Sequence, residues 1–389
     1  MENSALKPRP EKGGGFLFSA EDHGYMARAL ELARRGIGHT RPNPMVGAVL
    51  VKHGQIIGEG WHQQYGGAHA EVNAFASCKE DPEGATLYVT LEPCSHYGKT
   101  PPCADLIIRK KVTRVVTSMV DPNPLVAGRG IEKLRQAGIS VSVGLMEEEC
   151  RHLNEVFLKF VTEKLPFILY KAAMSLDGKT ACFTGDSQWI SSEVSRKEVH
   201  QMRAQYAGIM TGIGTILADD PRLTARVDGA EDPVRIIADS QLRIPLKAKV
   251  LHESGRTILL TTSQASEGKK KEVQALGAEI IVADGPHNKV DLKQAMTHLA
   301  LMGIDGILLE GGSTLAEAAL EAGIVDKICF YVAPLLIGGK VAPSPVGGIG
   351  AAHLPEAVRI KNAAVERCGA DFKITGYIEK EDGCVYGNH

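Results

Sequence analysis

The chain is poor in the features that mark a secreted, membrane-bound or nucleic-acid-gripping protein. Eight cysteines in 389 residues are too few for a disulfide scaffold. The N-terminus lacks the apolar core of a signal peptide, so those thiols are expected to be reduced. No apolar run approaches the ~18 residues that a membrane span needs, Met45–Val51 being the best. Neither sign of charge dominates: 44 Lys and Arg against 46 Asp and Glu give a formal net charge of −2. The basic excess of a protein built to grip phosphate backbones is missing. What remains is an ordinary globular balance, 44% hydrophobic and 23% charged, on a chain long enough for roughly two to three domains. The expectation is a cytoplasmic, multi-domain protein.

Residues 1–18 hold Lys7-Pro8-Arg9-Pro10 and Gly13-Gly14-Gly15 without periodicity, and are expected to form a flexible tail. From Ser19 the pattern turns helical. Ser19 and Asp22 resemble a capping box, and Tyr25, Met26, Ala29, Leu30 and Ala33 recur at helical spacing. Met45–Val51 and Gln55–Gly60 are expected to be a strand pair turned through Lys52-His53-Gly54, followed by a helix at Ala70–Cys78 and a strand at Thr86–Leu91. A loop rich in Gly and Pro, Pro93–Pro102, leads to a helix at Ala104–Lys110 and a strand at Arg114–Met119. A helix at Ile131–Gln136 and a strand at Ile139–Val143 follow. Such alternation implies a largely parallel sheet covered by helices.

Met146–Thr162 reads as one further helix, with Leu153, Val156, Phe157 and Phe160 on one face. Lys164-Leu165-Pro166 ends it, because proline disfavours helix in the residue before it. A second alternating series follows, with strands at Phe167–Ala173, Ala207–Thr211, Val234–Asp239, Thr257–Thr261, Glu279–Val282, Gly306–Glu310 and Lys327–Val332. The expected division is therefore the tail 1–18, a first domain 19–165 and a second domain 166–389.

The first half carries a metal-binding pattern. His69-Ala70-Glu71 opens a helix, Pro93-Cys94 follows the next strand, and Cys103 comes nine residues later. One imidazole and two thiolates form a soft three-ligand set that suits one Zn²⁺ and leaves a fourth position for water. The metal would lower that water's pKa from about 15.7 to about 7. At a helix N-terminus His69 and Glu71 can point to one site, which leaves Glu71 to carry protons. This division of labour is that of zinc deaminases, although their usual short spacing between the two cysteines is stretched here. Read one at a time, His69 is a core histidine and the cysteines are small hydrophobes; the ordered set argues against that.

The second half is less explicit. Gly212-Ile213-Gly214 supplies only part of a dinucleotide fingerprint. Gly306–Glu310 followed by Gly311-Gly312-Ser313-Thr314 is a buried strand ending in Glu-Gly-Gly with a helix behind it, an arrangement that attracts phosphate. A plain strand–turn–helix connection fits the same string.

Taken together, these residues resemble the bifunctional deaminase–reductase family of riboflavin biosynthesis. The resemblance is carried by His69–Ala74, by Val89–Cys103 with its long loop, by Pro42–Gly47 and by Asp121–Pro124. In the second half it is carried by Lys171–Lys179, Ser187–Ser192, Leu217–Arg226 and Asp239-Ser240, and it spans about Asp22 to Tyr377. It implies a cytidine-deaminase-like αβα domain followed by a dihydrofolate-reductase-like α/β domain. The implied ligands of Zn²⁺ are His69, Cys94 and Cys103, with Glu71 as proton shuttle. Asn43, His62 and Lys99 are placed near the deaminase substrate, although Pro42-Asn43-Pro44 is also an ordinary turn.

NADPH is the implied second cofactor, meeting Ala173, Trp189, Thr215, Asp219, Ser240, Gly312, Ser313, Thr314, Leu315, Ala316, Glu317 and Ala318. Ser187, Arg203, Leu223, Arg226 and Glu310 would meet the substrate. Guanidinium forks match phosphate oxygens, which suits Arg203 and Arg226; Trp189 can stack on a flat ring or fill the core. The implied reactions are hydrolytic deamination of 2,5-diamino-6-ribosylamino-4(3H)-pyrimidinone 5′-phosphate, then reduction of its ribosyl group to a ribityl chain. The expected partners are that small phosphate and further copies of the chain in a homo-oligomer, with no nucleic acid and no membrane. Two other readings stay open on the residues alone. One is a nucleoside or tRNA-base deaminase with an appended recognition domain; the other is a regulatory nucleotide-binding protein with structural zinc.

Overall fold

The computed structural model describes residues 18–97, 101–123 and 127–380. The expected tail up to Leu17, together with Lys99 and Pro124, lies outside them. The chain divides into two compact units, one formed by residues up to Gly36 with Met45–Leu153, the other by Ile37–Pro44 with Asn154 onward.

In the first unit, helix α1 (Ala20–Arg34) begins on the capping box: the Ser19 hydroxyl accepts from the Asp22 amide, and the Asp22 carboxylate accepts from the Ser19 amide. The elements that follow are β1 (Gly47–Lys52), β2 (Gln55–Trp61), α2 (Ala70–Ala76), β3 (Thr86–Val89), α3 (Cys103–Arg109), β4 (Arg114–Thr117), α4 (Arg129–Gln136), β5 (Ser140–Val143) and α5 (Glu147–Leu153). Their sheet has the order β2-β1-β3-β4-β5. It is mixed, where a largely parallel sheet was expected. The turned pair β1/β2 is antiparallel as expected, and β1 is also antiparallel to β3, while β3, β4 and β5 are parallel.

Side-chain alternation along these strands makes three layers. Ala48, Leu50, Leu87, Val89 and Val115 pack with Ala70, Ala74, Ala104, Ile107 and Leu134 from α2, α3 and α4. Val49, Val51, Tyr88 and Val116 pack on the other face with Met26, Ala29 and Leu32 of α1. Asp22 also ties α1 to the sheet, accepting from Tyr88 and from both terminal nitrogens of Arg114. Burial would raise its pKa, but these bonds outweigh burial and hold the carboxyl well below the usual range.

The expected single helix Met146–Thr162 is two helices. α5 ends at Leu153, buried Asn154 leaves helical geometry, and α6 (Glu155–Glu163) starts anew in the second unit. The face that α6 buries is not the apolar stripe read in the sequence. Leu158 is buried together with Lys159 and Glu155, whose charges are met in place. Lys159 Nζ lies 2.6 Å from Asp326, which also accepts from the Ile168 amide and Lys380; Glu155 is met by Lys327 at 2.9 Å and by Tyr377.

The second unit continues with β6 (Phe167–Ser175), α7 (Glu193–Gln205), β7 (Gly208–Gly212), α8 (Ile213–Asp219), β8 (Val234–Ala238), β9 (Thr257–Thr261), α9 (Glu267–Ala275) and β10 (Glu279–Val282). After these come α10 (Leu292–Leu301), β11 (Gly306–Glu310), α11 (Ser313–Glu321), β12 (Lys327–Ala333), β13 (Ile360–Cys368) and β14 (Asp371–Ile378). The nine strands are ordered β10-β9-β8-β7-β11-β6-β12-β14-β13. All pairings from β10 to β12 are parallel; β14 and β13 add an antiparallel hairpin that the sequence reading did not separate. One face packs Ile168, Tyr170, Met210, Ile307 and Leu309 against α10 and α11. Ile209, Ile237 and Leu259, with Phe167, Leu169 and Leu308, face the helices on the opposite side. Among the described residues no helix is long and apolar enough to cross a membrane.

Candidate active sites

Two helix N-termini and one strand exit build the site in the first unit. His69 is the N-cap of α2, in extended conformation, and Glu71 is the second residue of that helix. Leaving the helical path at His69 is what lets two side chains so close in sequence face one place. Cys94 follows β3, and Cys103 is the first residue of α3. The Cys103 amide donates to Cys94 Sγ at 3.3 Å, and the Ala104 amide donates to the Cys94 carbonyl at 3.1 Å. A helix N-terminus aimed at a sulfur favours the thiolate.

His69 Nδ1 lies 3.6 Å from Cys94 Sγ and 3.4 Å from Cys103 Sγ, and all three ligand atoms fall within 4.8 Å of one another. One nitrogen and two sulfurs at such distances fit a single Zn²⁺ with an open fourth position. The hydrogen bond from Cys103 draws Cys94 down to about 4, while the same bond and burial push Cys103 far up. Glu71 is 4% exposed; burial, then the neighbouring Cys94, pushes its carboxyl up to about 7.

His62 is buried beside these groups, its ring edge-on to His69 at 5.8 Å and its Nδ1 3.0 Å from the Ala68 carbonyl. The Asn43 amide closes a turn onto the Thr40 carbonyl, and by compactness that segment groups with the second unit.

In the second unit Ala173, Thr215, Ser240, Glu310 and Gly312 lie near the carboxyl ends of parallel strands, where open α/β sheets bind ligands. Glu310 ends β11 and is buried. Its two oxygens take a fork from Arg203, Nε at 2.8 Å and Nη2 at 2.9 Å, and Lys171 Nζ approaches to 3.3 Å. The remaining Arg203 nitrogen, Nη1, donates to the Thr224 carbonyl at 3.2 Å. The fork expected on a phosphate is therefore turned onto Glu310. Arg226, by contrast, is exposed. Lys171 was not singled out in the sequence. The signal is its parallel register with Glu310, visible only once β6 and β11 are known to be neighbours.

Gly311 and Gly312 follow Glu310 and lead into α11, which Gly312 caps without a side chain. Gly311 has φ +129°, and a Cβ there would lie 2.2 Å from Thr211 Oγ1. The Gly312 amide donates to Thr215 Oγ1 at 3.2 Å, while the fully buried Thr211 hydroxyl beside it has no partner among the described residues. This glycine cradle before a helix N-terminus fits a dinucleotide phosphate. Within the expected run Gly312–Ala318, Leu315 and Ala316 face the core, so only their backbone can meet a cofactor. Leu223 is likewise buried in the core.

Ala173 lies half-buried on β6, and Ser187 half-buried in the loop after it. Trp189 does not fill the core. It is 67% exposed with the Arg196 guanidinium 4.6 Å above its ring. Asp219 is exposed at the end of α8. Ser240 follows β8, two strands from β11; its hydroxyl accepts from the Val290 amide at 3.2 Å and its carbonyl from Thr261 and Thr262.

Two family models match the chain: the cytidine and deoxycytidylate deaminase zinc-binding region over residues 19–119, and the RibD C-terminal domain over residues 166–374. The riboflavin biosynthesis protein RibD of Actinobacillus pleuropneumoniae is 47% identical over 353 residues, covering 90% of this chain and 94% of that protein. The RibD protein of Bacillus amyloliquefaciens is 44% identical over 368 residues, covering 94% and 99%. Among solved structures, Acinetobacter baumannii RibD superposes with a TM-score of 0.82 at 37% identity, covering 92% of this chain and 99% of that one. The diaminohydroxyphosphoribosylaminopyrimidine deaminase/5-amino-6-(5-phosphoribosylamino)uracil reductase of Thermotoga maritima gives 0.81 at 38% identity with the same coverage. With both halves matched and both relatives aligned almost end to end, the chain belongs to the RibD family, bifunctional enzymes of riboflavin biosynthesis that join a zinc-binding pyrimidine deaminase to an NADPH-using reductase.

Proposed function

We propose that the two steps run at two separate constellations, one in each unit, on a pyrimidine ribosyl 5′-phosphate. The first hydrolyses the 2-amino group of 2,5-diamino-6-ribosylamino-4(3H)-pyrimidinone 5′-phosphate and releases ammonia. The second reduces the ribosyl group of the product to a ribityl chain. The observation that carries this reading is the convergence of His69, Cys94 and Cys103 beside a buried, unligated carboxylate, Glu71.

Zinc held by that set supplies a position at which water is acidified to near neutrality. Glu71 sits two residues from the ligand His69, and its raised pKa suits it to take a proton and give it back. It receives the proton of the attacking water, delivers it to the ring nitrogen, and serves the leaving amine in the same way. His62 lies beside the same groups, its ring edge-on to His69.

At the second site Lys171 and Arg203 keep Glu310 charged in a buried place, which fixes its oxygens for a sugar hydroxyl. Arg226 is the guanidinium left for the substrate phosphate, with Ser187 and the backbone at Leu223 alongside. Ala173, Trp189, Thr215, Asp219, Ser240 and the segment from Gly312 to Ala318 follow NADPH across the strand ends. A cytoplasmic homo-oligomer belongs to the same reading, and light scattering of the purified chain tests the association.

Incubation with the diamino pyrimidine phosphate, with ammonia release and NADPH oxidation followed together, is the direct test. Both signals appear in sequence, ammonia first. NADPH oxidation that precedes ammonia release, or the absence of either signal with this substrate, overturns the reading.

A further inference from the structure

Glu92 stands two residues before the zinc ligand Cys94 and is 4% exposed. The hydrogen bonds it makes among the described residues all come from backbone amides. Oε1 accepts from Gly130 at 2.8 Å and Ile131 at 3.3 Å; Oε2 accepts from Gly128 at 2.9 Å and Asp121 at 3.2 Å. Its own amide donates to the Met119 carbonyl at 3.0 Å, which continues the pairing of β3 with β4 beyond the strand ends.

Three segments thus meet on one carboxylate. It caps α4 from outside, where the N-cap residue Gly128 has no side chain to offer. It gathers the Asp121 and Gly128 amides on a single oxygen. It also binds these two to the peptide that carries Pro93 and Cys94. Gly130 closes the contact from the other side: a Cβ there would lie 1.9 Å from the Pro93 carbonyl oxygen, so the second residue of α4 rides directly on the peptide preceding Cys94. A carboxylate has acceptors on both oxygens, with roughly four lone-pair sites, whereas glutamine has one acceptor oxygen and turns an NH₂ toward N–H donors.

We propose that Glu92 is a positioning residue of the metal site, fixing the peptide that presents Cys94 Sγ by locking it to the first turn of α4 and to the loop at Asp121. Groups behind metal ligands act in this way because a ligand free to wander holds its ion weakly. The inference rests on His69, Cys94 and Cys103 being the zinc ligands.

The test uses the full-length, zinc-loaded chain and the variants Glu92→Gln, Gly130→Ala and Cys94→Ser. Zinc release to a chromophoric chelator is timed at a temperature where far-UV circular dichroism of each variant equals that of the parent. Each protein is also loaded with Co²⁺, and its thiolate-to-cobalt absorption band is recorded. Glu92→Gln and Gly130→Ala are expected to release zinc about tenfold faster or more, with a shifted or weakened cobalt band. A merely structural role lowers the unfolding temperature and leaves both metal readouts at parental values, and that result in either folded variant overturns the proposal. Should Glu92→Gln fail to fold, Gly130→Ala decides alone by the same criteria. Cys94→Ser separates the two levels: parental zinc retention there overturns the ligand assignment, and the inference falls with it.

Discussion

Replacing Glu310 with glutamine deletes one charge from a buried trio while keeping its shape. The carboxylate accepts a fork from Arg203 at 2.8 and 2.9 Å and a third bond from Lys171 at 3.3 Å. Burial alone would raise the Glu310 pKa, but Lys171 and Arg203 outweigh it and bring it from 4.5 to about 2. At about 1.4 kcal/mol per tenfold in proton affinity, that fall corresponds to about 3 kcal/mol of stability. Removing one partner of a buried ion pair costs about 3–5 kcal/mol, the same size by an independent route. Because the folded pKa lies below the unfolded one, this stabilisation is complete above about pH 4.5 and drains as pH falls toward 2. Urea unfolding read by hydrogen exchange of the β11 amides isolates the second unit from the first. Glu310→Gln should be less stable than the parent by about 3 kcal/mol at pH 7 and by about half that at pH 3. A gap below about 1 kcal/mol at pH 7, or one that stays constant with pH, refutes the argument that this carboxylate is held ionised by its two cations.

Three further outcomes follow from the geometry. Cys103→Ser removes one of three soft ligands, so zinc measured by elemental analysis should fall from about one per chain to well below it, with ammonia release falling in parallel. Gly311→Ala places a methyl where Thr211 Oγ1 already sits, at a φ of +129°. NADPH fluorescence titration should show binding weakened about tenfold or more, with ammonia release unchanged. Arg226→Ala should raise KM for the reduction with kcat nearly kept, by the about 1.5–3 kcal/mol of a charge-assisted bond. Unchanged steady-state kinetics would return Arg226 to the role of a solvated surface charge.

The metal set was legible because its residue types are scarce and their chemistry is narrow. A His-x-Glu pair, a Pro-Cys and a second Cys in an alternating region leave few bland explanations, and the structure brings the three ligands within reach of one ion. Strands of the second unit were legible as continuous apolar runs, and Thr257–Thr261, Glu279–Val282 and Gly306–Glu310 have the limits that periodicity set for them. The helix expected over Met146–Thr162 was misread because its stripe of Leu153, Val156, Phe157 and Phe160 leaves out Glu155 and Lys159, which are buried. Their partners, Asp326, Lys327 and Tyr377, are more than 160 residues away. β13 escaped because eight of its nine residues are exposed or half-buried, so it carries no burial alternation. The role of Arg203 depended on knowing that α7 overlies the end of β11, and Glu92 on four amides that no side-chain pattern announces. Chemistry concentrated in side chains was visible in the sequence; chemistry made by backbone amides and distant pairs was not.

The central claim is that one chain holds two independent active sites, and Glu71→Gln tests it most directly. The amide is nearly isosteric with the buried carboxyl but cannot shuttle a proton, so the zinc set should persist while proton transfer fails. The purified, zinc-loaded variant is assayed twice, once for ammonia release from the diamino substrate and once for NADPH oxidation on the deaminated intermediate. Ammonia release should fall about 10²–10⁴-fold, while NADPH oxidation stays within about twofold of the parent, less than about 0.5 kcal/mol in barrier. Loss of both activities in a folded, zinc-loaded protein would mean a shared or composite site and would contradict the account.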